Sequence, residues 1–247
     1  MDGVVPPLGH PLSSGTVRLV GALANGMKGD CTGVLIDRDL LLTAAHCIPS
    51  YVVSGEVEFL PMISGVFPKD FYRRTVLNWR LHPEFKDGET EESYNNDIAL
   101  VRFEGEIPAG NRPFLLPGAT LNRGASLMIA GFGSIGVGNE VGRGVFRVAT
   151  YPEGSLLPNT NEFIISVDQP KIGICGGDSG GPLLVDQGQG LQVIGIVSTT
   201  SNVTPDNRPL PEDSCHGVAN FVSVYPKLDW ISEAGKELRL EKNREQP

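Results

Sequence analysis

The sequence predicts an all-β fold built as two domains, and three observations lead there. Turn formers are abundant, with 31 glycines and 19 prolines among 247 residues and only 20% charged residues, a composition unsuited to helical bundles or coiled coils. Short apolar or alternating runs recur with turn residues between them, the pattern of antiparallel sandwiches and barrels. At roughly 150 residues per domain the chain holds about 1.6 domains, long enough to bury a core without relying on cross-links.

The runs fall into two series. The first comprises residues 16–20, 34–36, 40–42, 57–60, 76–79 and 98–103. The second comprises 127–130, 145–149, 163–167, 183–185, 193–197 and 218–224. Between them a stretch rich in Gly and Pro, 104–124, reads as the connection between domains. Residues 225–240 alone look helical: Leu228, Trp230, Ile231 and Leu238 keep roughly helical spacing, and Pro226 stands near the start, where its missing N–H costs nothing. The expected division is a leader or activation segment over 1–15, one β domain over 16–115, a second over 116–224, and a helix and tail over 225–247.

The formal net charge of −9 argues against nucleic-acid binding, because a phosphate backbone repels such a surface. No run of about 18 apolar residues is present to span a membrane as a helix. The first residues, Met1-Asp2-Gly3-Val4-Val5-Pro6, lack the basic and apolar regions of a signal peptide. The four cysteines, Cys31, Cys47, Cys175 and Cys215, lack zinc-site spacing. From their count alone they are four buried thiols or two disulfides.

Three short stretches carry chemistry: Thr43-Ala44-Ala45-His46-Cys47, Asn95-Asn96-Asp97-Ile98 and Gly176-Gly177-Asp178-Ser179-Gly180-Gly181. A serine hydroxyl is a weak nucleophile at neutral pH and needs an adjacent base, which in turn needs a group to fix its tautomer. His46, Asp97 and Ser179 supply the three types, 51 and 82 residues apart, so they can meet only where two domains come together. Glycines around the serine leave backbone N–H groups open to an oxyanion and allow a tight turn.

In this order the motifs resemble the trypsin/chymotrypsin-type serine proteases, over about residues 17–231; Leu81-His82-Pro83-Glu84-Phe85 and Gly131-Phe132-Gly133 add to the likeness. The resemblance implies two antiparallel six-stranded β-barrels with a C-terminal helix and the active site between them. It implies a secreted or periplasmic endopeptidase made as a zymogen, without cofactor or metal. Its partners would be polypeptide substrates and protein protease inhibitors, and the chain would be monomeric. His46 would be general base and then acid, Asp97 its orienting carboxylate, Ser179 the nucleophile, and the N–H groups of Gly177 and Ser179 the oxyanion hole. Ser198 would hydrogen-bond the carboxylate, with Ser198, Thr199 and Thr200 pairing with substrate as an added strand. Cys31 would bridge to Cys47 and Cys175 to Cys215.

The chain departs from the pattern twice. The new N-terminus that pairs with the aspartate before the nucleophile, Asp178, is best matched by Val4-Val5, but Pro6-Pro7 replaces the expected glycines and no basic residue precedes Val4. Cleavage after Gly3 is the expectation. At the pocket, Gly173 stands six residues before Ser179, where tryptic relatives carry aspartate, and Thr200 and Gly217 are the expected wall positions. A small or medium uncharged P1 residue is expected, unless Asp206, Glu212 or Asp213 from the long segment 201–214 supplies a charge. The acidic run from Asp87 to Glu92 fits no calcium-ligand spacing and reads as a solvated loop. The competing class is a protease-like binding protein that has lost catalysis. An α/β-hydrolase is excluded, since there the order is Ser, acid, His.

Overall fold

The computed structural model describes residues 3–60, 72–86, 88, 90–121, 125–135, 141–158, 161–170, 172–210 and 215–241. Every one of the twelve expected strands is present. β1 (Thr16–Leu23), β2 (Lys28–Leu35), β3 (Leu40–Thr43), β4 (Val52–Phe59), β5 (Tyr72–Leu81) and β6 (Ala99–Phe103) close into an antiparallel barrel in the order β1-β2-β3-β6-β5-β4. Closure leaves no free edge in this lobe. Inward-facing Val17, Leu35, Leu41, Val57, Phe59, Val101 and Phe103 fill it, with Phe59 and Phe103 edge to face at 5.5 Å.

The second lobe contains β7 (Met128–Gly131), β8 (Arg147–Thr150), β9 (Ile164–Asp168), β10 (Pro182–Asp186), β11 (Leu191–Ser201) and β12 (Val218–Ser223). They form one six-stranded antiparallel sheet in the order β8-β7-β10-β11-β12-β9. A second closed barrel was expected; among the described residues β8 and β9 do not pair with each other. The reason lies at the two edges, each of which meets another partner. Val4 bridges Val148 of β8, and Leu156 bridges Val167 of β9, so these outer ladder groups are satisfied without closure.

The expected leader is integrated with this lobe. Val4 exchanges both backbone hydrogen bonds with Val148 at 2.9 Å, and Leu12 is buried in the core cluster that also contains Phe114. At the other end a 3₁₀ turn (Tyr225–Lys227) leads into α2 (Leu228–Leu240), matching the helix read from spacing. It follows the second lobe in sequence but packs on the first. Ile231, Ala234 and Leu238 are buried in the cluster with Leu40 and Leu100, and Arg239 pairs with Asp37 and Asp39.

One helix begins at the end of the acidic stretch read as a solvated loop. Residues Glu91–Asn95 form α1, capped by Thr90, whose hydroxyl accepts from Ser93 N at 3.1 Å. A capping residue followed by acidic first-turn positions suits a helix start. Glu92 pairs with Lys86; Asp87 and Glu89 lie outside the described residues.

Candidate active site

His46 lies in a one-turn 3₁₀ helix (Ala45–Cys47) directly after β3. Asp97 lies between α1 and β6, and β3 pairs with β6 so that Thr43 faces Ala99. The pairing brings the two residues together although 51 positions separate them. The Asp97 carboxylate receives His46 Nδ1–H on Oδ2 at 2.7 Å and the His46 backbone N–H on Oδ1 at 2.9 Å. The second lobe completes this group. A bulge in β11 between Val197 and Thr199 interrupts the register with β12, and the Ser198 hydroxyl donates to Asp97 Oδ2 at 2.6 Å.

The electrostatics follow from this geometry. Burial alone pulls His46 down, but the hydrogen bond and negative charge of Asp97 outweigh it and hold the imidazole above its ordinary value. For Asp97, burial pushes up, while the bonds from His46 and Ser198 win and hold the carboxyl below its ordinary range. Asp97 is therefore an anion while His46 titrates.

Ser179 is brought beside the histidine turn by three ties. Its carbonyl accepts from Thr32 N at 2.9 Å and lies 3.7 Å from Cys47 Sγ, and the Thr32 hydroxyl donates to Gly177 O at 2.9 Å. Gly180 follows at φ +79°, where a β-carbon would strike Thr43 Oγ1 and Thr32 O, so only glycine lets the loop approach β2 and β3. No hydrogen bond joins Ser179 Oγ to His46, and the N–H groups of Gly177 and Ser179 donate to no acceptor among the described residues. Gly177 is buried, and a buried N–H without an acceptor is rare in folded chains.

Asp178 is 1% exposed and accepts from Gly133 N at 2.8 Å and Cys175 N at 3.0 Å. Val4 and Asp178, expected as an activation pair, are not joined here: the Val4 nitrogen is an amide donor to Val148 O. Both expected disulfides, Cys31–Cys47 and Cys175–Cys215, are present. The described cluster with metal-ligating types, Cys31, His46 and Cys47, has its two sulfurs bonded to each other.

At the expected pocket, Gly173 is buried against Cys215, whose carbonyl a β-carbon at 173 would strike. Gly217 packs in the same way on the Ser201 carbonyl. Thr199 faces Asn220 and Thr200 faces Ala219 across β11 and β12; Thr199 is partly buried and Thr200 is exposed. Asp206 pairs with Arg208 at 2.7 Å and accepts from Thr204 at 2.5 Å; Glu212 and Asp213 lie outside the described residues.

Several site residues had no signal of their own in the sequence. Thr32 ties the Ser179 loop to the first lobe, and its only cue is its place next to Cys31. Gln169 is fully buried, donates to Cys215 O at 2.9 Å and accepts from Ile174 N at 3.0 Å, bracing the loop at the second disulfide. Phe85 and Tyr94 line a groove of about 270 Å³ together with His46, Ser198 and Thr199.

Comparison with known proteins agrees with the fold. A family model described as Trypsin matches residues 8–224. Serine protease SSP1 of Scolopendra subspinipes is 29% identical over 241 residues, covering 91% of this chain and 79% of the relative. Thrombin-like enzyme elegaxobin-2 of Protobothrops elegans is 31% identical over 218 residues, covering 81% and 84%. Among solved structures, one described as GrC superposes with TM-score 0.74 at 20% identity, covering 95% of this chain and 99% of that one. The HL collagenase structure gives 0.69 at 22% identity, with 96% and 98% covered. With a family model spanning most of its length and relatives named serine proteases, the chain belongs to the trypsin family of serine proteases, which are hydrolases.

Proposed function

We propose that this protein is a serine endopeptidase that cleaves peptide bonds through an acyl-enzyme on Ser179, with His46 and Asp97 as its catalytic partners. The observation that supports this most is the hydrogen-bonded chain Ser198–Asp97–His46, built from both lobes, beside a serine whose loop offers two unengaged N–H donors. In this reading Ser179 Oγ attacks the scissile carbonyl carbon while His46 Nε2 takes its proton, and Asp97 stabilises the imidazolium through Nδ1–H. The developing oxyanion is received by Gly177 N–H and Ser179 N–H. His46 then returns the proton to the leaving amine, the C–N bond breaks, and water, deprotonated by the same imidazole, releases the acid. The Ser179–His46 hydrogen bond forms as substrate closes the site, as catalytic hydrogen bonds often do.

A small or medium uncharged P1 residue suits the pocket. The Gly173 backbone against Cys215 leaves no room for a fixed acid at that position, and Asp206 is committed to Arg208. Two disulfides suit an oxidising, extracytoplasmic compartment. Activation by cleavage after Gly3 would convert the Val4 amide to an ammonium, which would have to leave Val148 to reach Asp178. N-terminal sequencing of the active species tests that step, and an active form still beginning at Met1 rejects it.

The decisive experiment is fluorophosphonate labelling with peptide-library digestion. The expected results are one adduct on Ser179 and cleavage after uncharged residues. Ser179→Ala should fold normally and lose on the order of 10⁶-fold in kcat. A folded protein that takes no adduct before or after processing would instead be a protease-like binding module, and dominant cleavage after Arg or Lys would overturn the pocket reading.

A further inference from the structure

Asp97 follows directly on Asn96, and Asn96 is gripped from outside its own lobe. Lys227, the residue before α2, is only 4% exposed, and its Nζ donates to Asn96 Oδ1. The same ammonium lies 4.7 Å over the Phe163 ring. Asn161 donates to Asn95 Oδ1 at 2.8 Å and accepts from Phe163 N at 2.9 Å, so the loop carrying Phe163 is fastened to the end of α1. Asn96 in turn donates through Nδ2 to Glu92 O at 2.9 Å, and its carbonyl accepts from Ile98 N at 2.7 Å. Displacing Asn96 therefore displaces the backbone on both sides of Asp97.

The ammonium is an expensive way to fill this space. Burying a charge is costly unless it is paired, and Lys227 makes no salt bridge among the described residues. His82 and Glu84 face it electrostatically, and Lys86, Glu92 and Glu84 line the same cavity of about 450 Å³. An apolar side chain of equal length would pack there at lower cost. What the ammonium adds is a donor for Asn96 and a cation for the Phe163 face.

We propose that Lys227 is a positioning residue for the catalytic carboxylate, acting through Asn96 to hold Asp97 at the distance and angle that His46 requires. Like Ser198, it makes the acid of the first lobe depend on residues that follow it in the other half of the chain. The proposal rests on reading Asp97 as the triad acid, and active-site titration keeps the two separable. If the native enzyme takes no fluorophosphonate adduct before or after processing, the triad reading fails. If it labels and turns over but the variants below behave as native, only this inference fails.

The test compares Lys227→Met, Lys227→Gln and Asn161→Ala with the native enzyme, with rates expressed per titrated active site. Small displacements of catalytic groups cost much in rate. Lys227→Met should lose about tenfold in kcat with KM within about twofold, and the acid limb of kcat/KM should move down as His46 loses its aligned carboxylate. Lys227→Gln keeps an N–H donor for Asn96 and should recover most of that loss. A purely structural lysine would lower thermal stability while leaving kcat and the acid limb unchanged, and that result overturns the proposal. Should Lys227→Met not fold, Asn161→Ala decides: a fall of about threefold or more in kcat with a lowered acid limb supports it, and native values overturn it.

Discussion

His46 is under two opposed influences, and their balance makes a measurable claim. Burial favours the neutral ring, yet the Asp97 bond at 2.7 Å and its charge win. A general base must be neutral in the free enzyme, so activity should rise as pH increases through a value above the ordinary imidazole pKa of about 6.5. A pH profile of kcat/KM with its acid limb below that value would contradict the pairing. The sign for stability runs the other way: the raised histidine contributes most at low pH, and that contribution is lost as pH rises through its folded pKa. Ser198 donates a hydrogen bond of 2.6 Å to Asp97. Hydrogen bonds to charged groups contribute roughly 1.5–3 kcal/mol, so Ser198→Ala should cost about ten- to a hundredfold in kcat on a small peptide substrate, with the protein still folded.

The segment from His82 to Asn96 was the least legible element. The acidic residues before Asp97 resemble a solvated loop in sequence, because a five-residue helix is too short to show periodicity. Thr90 was its one cue, as a capping residue. His82 gives this element a pH signature. Burial first and the Lys227 charge second push it down to about 4, and its Nδ1 accepts from Glu84 N at 3.4 Å, which only the neutral ring can do. The folded chain thus binds fewer protons than the unfolded chain between the two pKa values. The stability that His82 contributes should be full above about pH 6.5 and fall as the pH drops between the two values. Urea denaturation of the native chain and of His82→Asn, which retains an acceptor, at pH 7 and pH 5 would measure this, and the variant should lose less stability on going to pH 5.

At the scale of the molecule, α2 ties the two lobes together. Leu238 is fully buried with Leu40 and Leu100, and its carbonyl accepts from Asn78 Nδ2 and Arg102 Nη1, both at 3.2 Å. Leu238→Ala should destabilise the protein by about 3 kcal/mol in chemical denaturation, and unfolding should remain a single transition because the helix couples both lobes. The same coupling appears at the sheet edges, where Val4 and Leu156 cover β8 and β9. No local pattern announces such coverage, since a single bridging residue has no period to detect.

The strands and the chemistry were written locally. Alternation is a property of neighbouring residues, and the residue types around His46, Asp97 and Ser179 sit in short motifs that need no partner to be recognised. Pairing, register and support were not local. Thr32 under the Ser179 loop, Gln169 behind the second disulfide, Ser198 on a bulge and Lys227 against Asn96 each act across a gap in sequence: 145 residues from Thr32 to Gly177, 101 from Ser198 to Asp97, 131 from Lys227 to Asn96. An ordinary threonine, glutamine or lysine carries no mark of the group it will meet. Burial, charge and hydrogen-bond geometry assign its role after the two lobes and the terminal helix have packed together.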